Sequence, residues 1–393
     1  MTLTRAAAVL LDPDAPRRPL VELYAALVEA VRADGVPVDR ASCSVPLLHP
    51  EQRSTQLIWT LADGTRAVPR TWSAAGSAMF ATSPMRPLVA GEATVIRHRI
   101  EPGSVGAPYA ILDELAAEGF TDYLATVTRG ELAWERAPLS WATRAPGGFD
   151  DTAIQALLGL MPVLGLILAI HAYRGTTRAL MDTYLGADAA SRVLDGHIRR
   201  GDVVDVEAAV CFCDMRDFTA LSQTLGQAEL LELLDDAFGV VVGAMEAERG
   251  EILKFIGDAV LAVFRVEGGE EARRDAVARA LRAARGTVRR AAEVSDERRE
   301  AGKPAFQLGV SIHLGHVAYG NIGAPTRLDF TVIGAAVNLA ARLEGTCRAL
   351  GAPIVLSDAA ASRLPPEAGH VEDLGTHALR GIAEPVQVWG ARG

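Results

Sequence analysis

Residues 206–222, VEAAVCFCDMRDFTALS, decide how the rest of the chain is read. The apolar run from Ala208 to Cys213 marks a buried strand. With a period of two, Phe212 and Asp214 face one way while Cys211 and Cys213 face the other. A carboxylate at the end of such a strand is costly to bury unless something pairs with it. Asp214 therefore asks for a partner.

Reading outward, strands and helices alternate. GEILKFIGDAVLAVF (250–264) reads as a hairpin, with Asp258 directly after Gly257 at its tip. GQAELLELLDDAFGVVVGAMEAE (226–248) is a helix, and a charged helix from 270 to about 301 presents a solvated face. FQLGVSIHLGHVAYGNIG (306–323) reads as a strand pair, and APIVLS (352–357) and EPVQVWG (384–390) add strands. The sum is an α+β sheet with helices on one face. Two isolated carboxylates, each at the end of a buried strand, suit a hard cation held partly by protein and partly by phosphate oxygens. Either aspartate alone reads as an ordinary turn or cap residue. FTVIGAAVNLAARLE (330–344) is a strand turning into a helix that holds Thr331, Asn338 and Arg342. The last two lie four apart on one helix face, where packing alone would want Leu or Ala.

Taken in order, FCDMRDFTALS, KFIGDAVLAVF, GVSIHLGHVAYGNIG, FTVIGAAVNLAARLE and LRGIAEPVQVWG resemble the successive motifs of class III nucleotidyl cyclases, over about 205 to 390. DTYLGADAASRVLDGHIRRGD (182–202) resembles the lead-in of bacterial members. The resemblance implies a ferredoxin-like catalytic domain with a mostly antiparallel sheet. Asp214 and Asp258 match its metal-binding aspartates, which implies Mg2+ or Mn2+, two per site, bridging to a nucleotide triphosphate. Lys254 and Thr331 match the base-selecting positions: a lysine donates to a ring nitrogen and a threonine hydroxyl accepts from an exocyclic amine, which favours ATP. Asn338 and Arg342 match the transition-state pair, the one orienting the ribose and the other meeting charge on the α-phosphate. Arg380 stands where the family often has a lysine near the terminal phosphates, and a surface salt bridge competes as its role. In this family the metal aspartates come from one protomer and the other residues from its partner, which implies a homodimer with two composite sites. The implied reaction is ATP to cyclic AMP and pyrophosphate. The alternatives are a guanylate cyclase, against which Lys254 and Thr331 argue, and a non-catalytic nucleotide- or partner-binding module. Ala335 departs from the aspartate of many relatives, and the loss of a cap there costs on the order of 1 kcal/mol.

The chain divides into three expected parts: 1–152, 153–204 and 205–393. In the first, PLVELYAALVEAVRADG (19–35) has a helical stripe of Leu20, Leu23, Leu27 and Val31, followed by strand candidates at 41–48, 55–61, 121–128 and 137–144. The ending LSWATRAPGGFDDTAIQALLGLMPVLGLIL (139–168), a strand, a PGGF turn and a long helix, resembles a GAF-type sensor domain, which implies an α/β fold and an unnamed small ligand or protein signal. AIQALLGLMPVLGLILAIHA (153–172) is apolar enough for a membrane span, but its Gln155, Pro162 and His171 favour a helix buried in a domain or dimer interface. The segment to 204 is expected to be a helical transducer on a dimer axis.

The length of 393 residues allows two or three domains, and a net charge of -10 argues against nucleic acid as a partner. Four scattered cysteines suit a reducing cytoplasm, and no signal peptide is read at the N-terminus. Two motifs are set aside. EGGEEA (267–272) looks like a diguanylate cyclase signature but reads as a loop, and His49, His98 and His171 are too scattered for a metal or haem.

Overall fold

The computed structural model describes residues 3–101, 103–128 and 135–392. The chain forms two compact units, Met1–Leu180 and Met181–Gly393.

The first unit is built on an antiparallel sheet of β1 (Arg40–Pro46), β2 (Gln52–Thr60), β3 (Gly64–Thr71), β4 (Val95–Arg99), β5 (Asp122–Val127) and β6 (Pro138–Thr143), in the order β3-β2-β1-β6-β5-β4. Helices α1 (Thr4–Leu11) and α2 (Leu20–Ala33) precede it. α3 (Ala74–Ala81), α4 (Met85–Ala90) and α5 (Ala110–Ala117) lie between strands. Leu23, Leu27 and Val31 of α2 are buried as their stripe predicts. β3 and β4 escape the sequence reading because both are edge strands whose side chains are mostly polar and uncovered, so hydrophobic alternation is weak. The PGGF turn is held by Asp122, fully buried, which accepts from Phe149 N–H at 3.0 Å and pairs with Arg97 at 2.9 Å. A Cβ at Gly148 would lie 2.7 Å from that of Asp122, and its φ of +72° independently calls for glycine.

α6 (Asp151–Leu185) then runs for 35 residues through Pro162. Asp150 accepts from Ala153 N–H at its start and so caps it. Its Leu157, Leu160, Leu164 and Leu168 enter the core of the first unit. Of the expected burial in a domain or dimer interface, one face is covered within the chain: 33% of its most apolar stretch is buried, and Leu166 stands 68% exposed. By length and composition α6 could cross a membrane.

In the second unit α7 (Ala187–Leu194) leads into β7 (Val203–Met215). Next come α8 (Phe218–Thr224), α9 (Gln227–Ala247), β8 (Glu251–Ile256), β9 (Ala259–Arg265), α10 (Glu270–Glu300) and β10 (Leu308–Ala324). β11 (Arg327–Ile333), α11 (Ala335–Glu344), β12 (Ile354–Ser357), α12 (Asp358–Ala361), β13 (Glu372–His377) and β14 (Val386–Ala391) complete it. The core order β10-β7-β9-β8 is antiparallel throughout, which is the ferredoxin-like arrangement; β12 joins β10 in parallel, followed by β14 and β13, while β11 pairs with β10.

Two expectations need correction. Residues 308–324 form one strand, not a pair, because β10 stays in register with β7 from Leu308–Met215 to Gly320–Val203. Its glycines look like breaks but are points of close approach. The helices also cover both faces of the sheet. Cys211 and Cys213 pack with α9 and α10, whereas Ala208, Val210 and Phe212 pack with Ala189 of α7 and Ala336 and Ala340 of α11. Asp214 shares the parity of Phe212 and so faces the α11 side.

A polar cluster clasps α7 to the sheet. The Tyr319 hydroxyl lies against Asp188 at 2.7 Å and against Glu251, while Asp188 also pairs with Arg265 at 2.7 Å and Arg192 at 3.0 Å. Burial of the Asp188 carboxyl is outweighed by the Tyr319 hydrogen bond and the two arginines, which hold its pKa down. Burial pushes Glu251 up.

Candidate active site

Asp214 is the last residue but one of β7, where it stands in register with Gly309 of β10. Asp258 is presented by the tightest of hairpins. Ile256 pairs with Ala259, leaving Gly257 and Asp258 as the two turn residues, and Gly257 takes φ +64°. That positive φ at the first turn position matches the twist of the strands it joins. The Asp258 carboxyl is near enough to act on that of Asp214. Burial first, then the charge and hydrogen bond of Asp258 and the charge of Glu344, push Asp214 up to about 7, against a single lowering hydrogen bond from Met215 N–H at 3.1 Å. A carboxyl so raised keeps its proton up to near neutral pH, or gives it up to a cation.

Glu344 belongs to the same group, and nothing local in the sequence marks it. Its carboxyl fills the space over Gly309, with Oε1 2.5 Å from where a Cβ would stand. Burial raises its pKa, the Arg216 charge opposes this, and Asp258 adds to it. Arg216 donates to Ala352 O at 3.0 Å, and its buried Nε has no partner among the described residues. Only the tertiary packing of α11 on β10, pinned by the Ser311 hydroxyl on Ala340 O at 2.7 Å, brings Glu344 here.

Lys254 and Thr331 sit on β8 and β11. β8 carries a bulge between Ile252 and Lys254, which resets its alternation. Beyond the bulge Phe255 stacks on Phe238 of α9, ring centroids 4.5 Å apart, so Lys254 turns to the opposite side and reaches Asp329 of β11 at 3.3 Å. Thr331, two residues from Asp329 on the same face of β11, is 4% exposed, and its hydroxyl has no hydrogen-bond partner among the described residues. A buried hydroxyl left unsatisfied, on the strand whose Asp329 holds the Lys254 ammonium, is a polar group open to a ligand.

Asn338 and Arg342 lie on the exposed face of α11, and neither side chain has a hydrogen bond or ion pair among the described residues. The same helix thus turns Glu344 toward the aspartates and carries Asn338 and Arg342 outward. Arg380 is exposed in the turn between β13 and β14. α11 begins at Ala335 after Gly334 with no side-chain cap.

The histidines have separate local partners: His49 accepts from Glu51 and Gln52 N–H, His98 packs edge-on against Tyr109, and His171 meets Ala15 O at 3.3 Å. Glu270 and Glu271 of EGGEEA form the first turn of α10, where acid suits the helix dipole. Among the described residues no cluster of three or more His, Cys, Asp or Glu is arranged to hold a metal. The Asp214–Asp258 pair nonetheless fits a hard divalent cation: all-oxygen donors, like charges that need neutralising, and a shell left for phosphate or water to complete.

Residues 205–390 match the family described as adenylate and guanylate cyclase catalytic domain. An adenylate cyclase of Anabaena cylindrica is 33% identical over 159 residues, which are 39% of this chain and 30% of that protein. Adenylate cyclase 1 of Rhizobium meliloti is 30% identical over 153 residues, 39% of this chain and 23% of that protein. The chain therefore spans less than a third of the length of either relative. The solved structure of a bacterial light-regulated adenylyl cyclase aligns with a TM-score of 0.50 and 18% identity over 67% of this chain and 84% of that one, a likeness of fold.

Proposed function

We propose, from a C-terminal unit that carries an adenylate and guanylate cyclase catalytic domain, that the chain converts ATP to 3′,5′-cyclic AMP and pyrophosphate at sites shared between two copies. The observation that carries this reading is the neighbouring Asp214–Asp258 pair, two carboxyls placed where a cation would relieve their repulsion. When bound there, Mg2+ or Mn2+ supplies charge neutralisation at the phosphates. Lys254 and Thr331 read the adenine edge. Asn338 orients the ribose. Arg342 meets the negative charge that develops on the α-phosphate as the 3′-oxygen bonds to it and the bond to pyrophosphate breaks, and its planar fork suits those oxygens. Arg380 binds the terminal phosphates.

The outward, unpartnered Asn338 and Arg342 support a composite site, in which each copy lends these residues to the other's aspartates. Residues 1–152 are assigned to a GAF-like sensor and 153–204 to a helical transducer and dimerisation segment, with 205–393 catalytic. A small ligand or protein signal at the first segment would then shift one copy against the other. The working location is the cytoplasm, off the membrane.

The test is to incubate the purified full chain with ATP or GTP and Mg2+ or Mn2+ and to identify the product. Asp258→Ala and Arg342→Ala chains, each inactive, should regain part of the activity when mixed as verified heterodimers, since one composite site is then whole. No cyclic nucleotide from the wild-type chain sinks the reading, and no recovery on mixing sinks the shared site.

A further inference from the structure

Asp329 is left without a role by every residue assigned so far, yet it is the group the base-reading lysine touches. We propose that Asp329 is the positioning residue of Lys254: it holds the ammonium against the purine edge beside Thr331 and thereby sets the preference for adenine over guanine. This rests on the reading of Lys254 and Thr331 as base-reading residues.

Three independent features place the groups together. The bulge in β8 turns Lys254 away from α9, the side that Phe255 then faces. Alternation along β11 puts Asp329 and Thr331 on one face, while Phe330 and Val332 face the core. Lys254 Nζ lies 3.3 Å from Asp329 Oδ2, closing the gap between the strands.

The chemistry follows from what a lone lysine cannot do. Its ammonium is a point charge on a four-carbon stem with three rotatable donors, and about 2 kcal/mol of rotamer entropy is at stake in fixing it. Adenine offers a bare acceptor at N1, whereas guanine carries N1–H there and an acceptor oxygen on the neighbouring carbon. A free ammonium can swing to either acceptor. One tethered by Asp329 presents its remaining N–H groups along a fixed direction, and the hydroxyl of Thr331 accepts from the exocyclic amine beside it. Guanine then sets donor against donor, and a buried polar group left unpaired discriminates more strongly than lost packing. The carboxylate acts through the lysine and need not touch the base.

The experiment is steady-state kinetics of the full chain on ATP and on GTP for wild type, Asp329→Asn and Asp329→Glu. Because the pair is partly exposed, its loss is expected to raise KM for ATP about fivefold. The value of kcat should stay within about twofold, since no group at the phosphates changes. The ratio of kcat/KM for ATP over GTP should fall about as much as KM rises, and Asp329→Glu should recover most of it. A merely structural role would lower kcat for both nucleotides together and leave their ratio unmoved, which overturns the inference. So does an active chain in which Asp329→Asn matches wild type on both nucleotides, and so does a wild-type preference for GTP. A wild-type chain that forms no cyclic nucleotide overturns both this inference and the reading beneath it, whereas an active wild type with an unchanged ratio overturns this inference alone.

Discussion

Gly315 offers the sharpest test of how the site is held, because it lies beneath α11 and touches no reacting group. A Cβ added there would stand 2.8 Å from the Cβ of Ala336 and 3.1 Å from His313 Nε2. Neither neighbour can yield as a long side chain would, since Ala336 has no further atoms. Ordinary contact begins at 3.4 Å, so the first turn of α11 must lift by about 0.6 Å, the difference between 3.4 and 2.8. Ala336 is two residues before Asn338, and the lift is delivered to the helix that carries Asn338 and Arg342. Overpacking of this kind costs about 1–3 kcal/mol. For a unit of this size that is a fall of about 2–12 °C in the midpoint of its thermal transition. A misplacement near 1 Å can cost about a hundredfold in rate, so about tenfold is expected in kcat from Gly315→Ala, with KM for ATP changing less. The assays are calorimetry and steady-state cyclase kinetics, with Gly315→Ala/Ala336→Gly as the control that reopens the space. An unmoved midpoint would show that α11 is not seated as described. A lowered midpoint with kcat within about twofold of wild type would show that catalysis does not depend on where α11 sits. Failure of the double variant to recover would refute the Gly315–Ala336 contact as the cause.

Three more outcomes are expected. With its pKa raised to about 7, Asp214 in the folded, metal-free chain keeps a proton that the unfolded chain has lost above about pH 4. Its contribution to stability therefore shrinks as pH climbs from about 4 through about 7, and Asp214→Asn should flatten that part of the midpoint-against-pH curve. Titrating Mg2+ or Mn2+ into the metal-free chain should release about half a proton per site at pH 7 and progressively less above it, read by calorimetry in buffers of differing ionisation heat; no buffer dependence would refute the raised pKa of Asp214. Tyr319→Phe removes the hydroxyl between Asp188 and Glu251 and should destabilise the second unit by about 1–3 kcal/mol, measured by denaturant unfolding; a loss under about 0.5 kcal/mol would mean that the cluster does not fasten α7.

Much of the second unit was legible because its strands are apolar runs broken by a few polar residues that packing cannot explain. The apolar run before Asp214, the hairpin around Gly257 and the charged helix after 270 can each be read from period and turn chemistry alone. β10 was misread because Gly309, Gly315 and Gly320 look like punctuation. In the structure each one makes room, for Glu344, Ala336 and the Asp202 carbonyl respectively, and room is a property of neighbours distant in sequence. The same reason hid Glu344. Asp329 was within reach, since it lies two residues before Thr331 in a strand, but nothing local announces the bulge that turns Lys254 toward it. β3 and β4 left almost no trace because edge strands need no apolar face.

The bulge in β8 also bears on how such a chain can change over time. A strand has two sides, so the direction in which Lys254 points is a matter of odd or even count, with no intermediate setting. Substitutions along β8 can adjust the surroundings of Lys254 by degrees, but gaining or losing a single residue between Ile252 and Lys254 would turn it to the opposite side at one stroke. On the proposed reading, nucleotide preference is thus lost abruptly by any change of length in β8 and drifts only gradually with its chemistry.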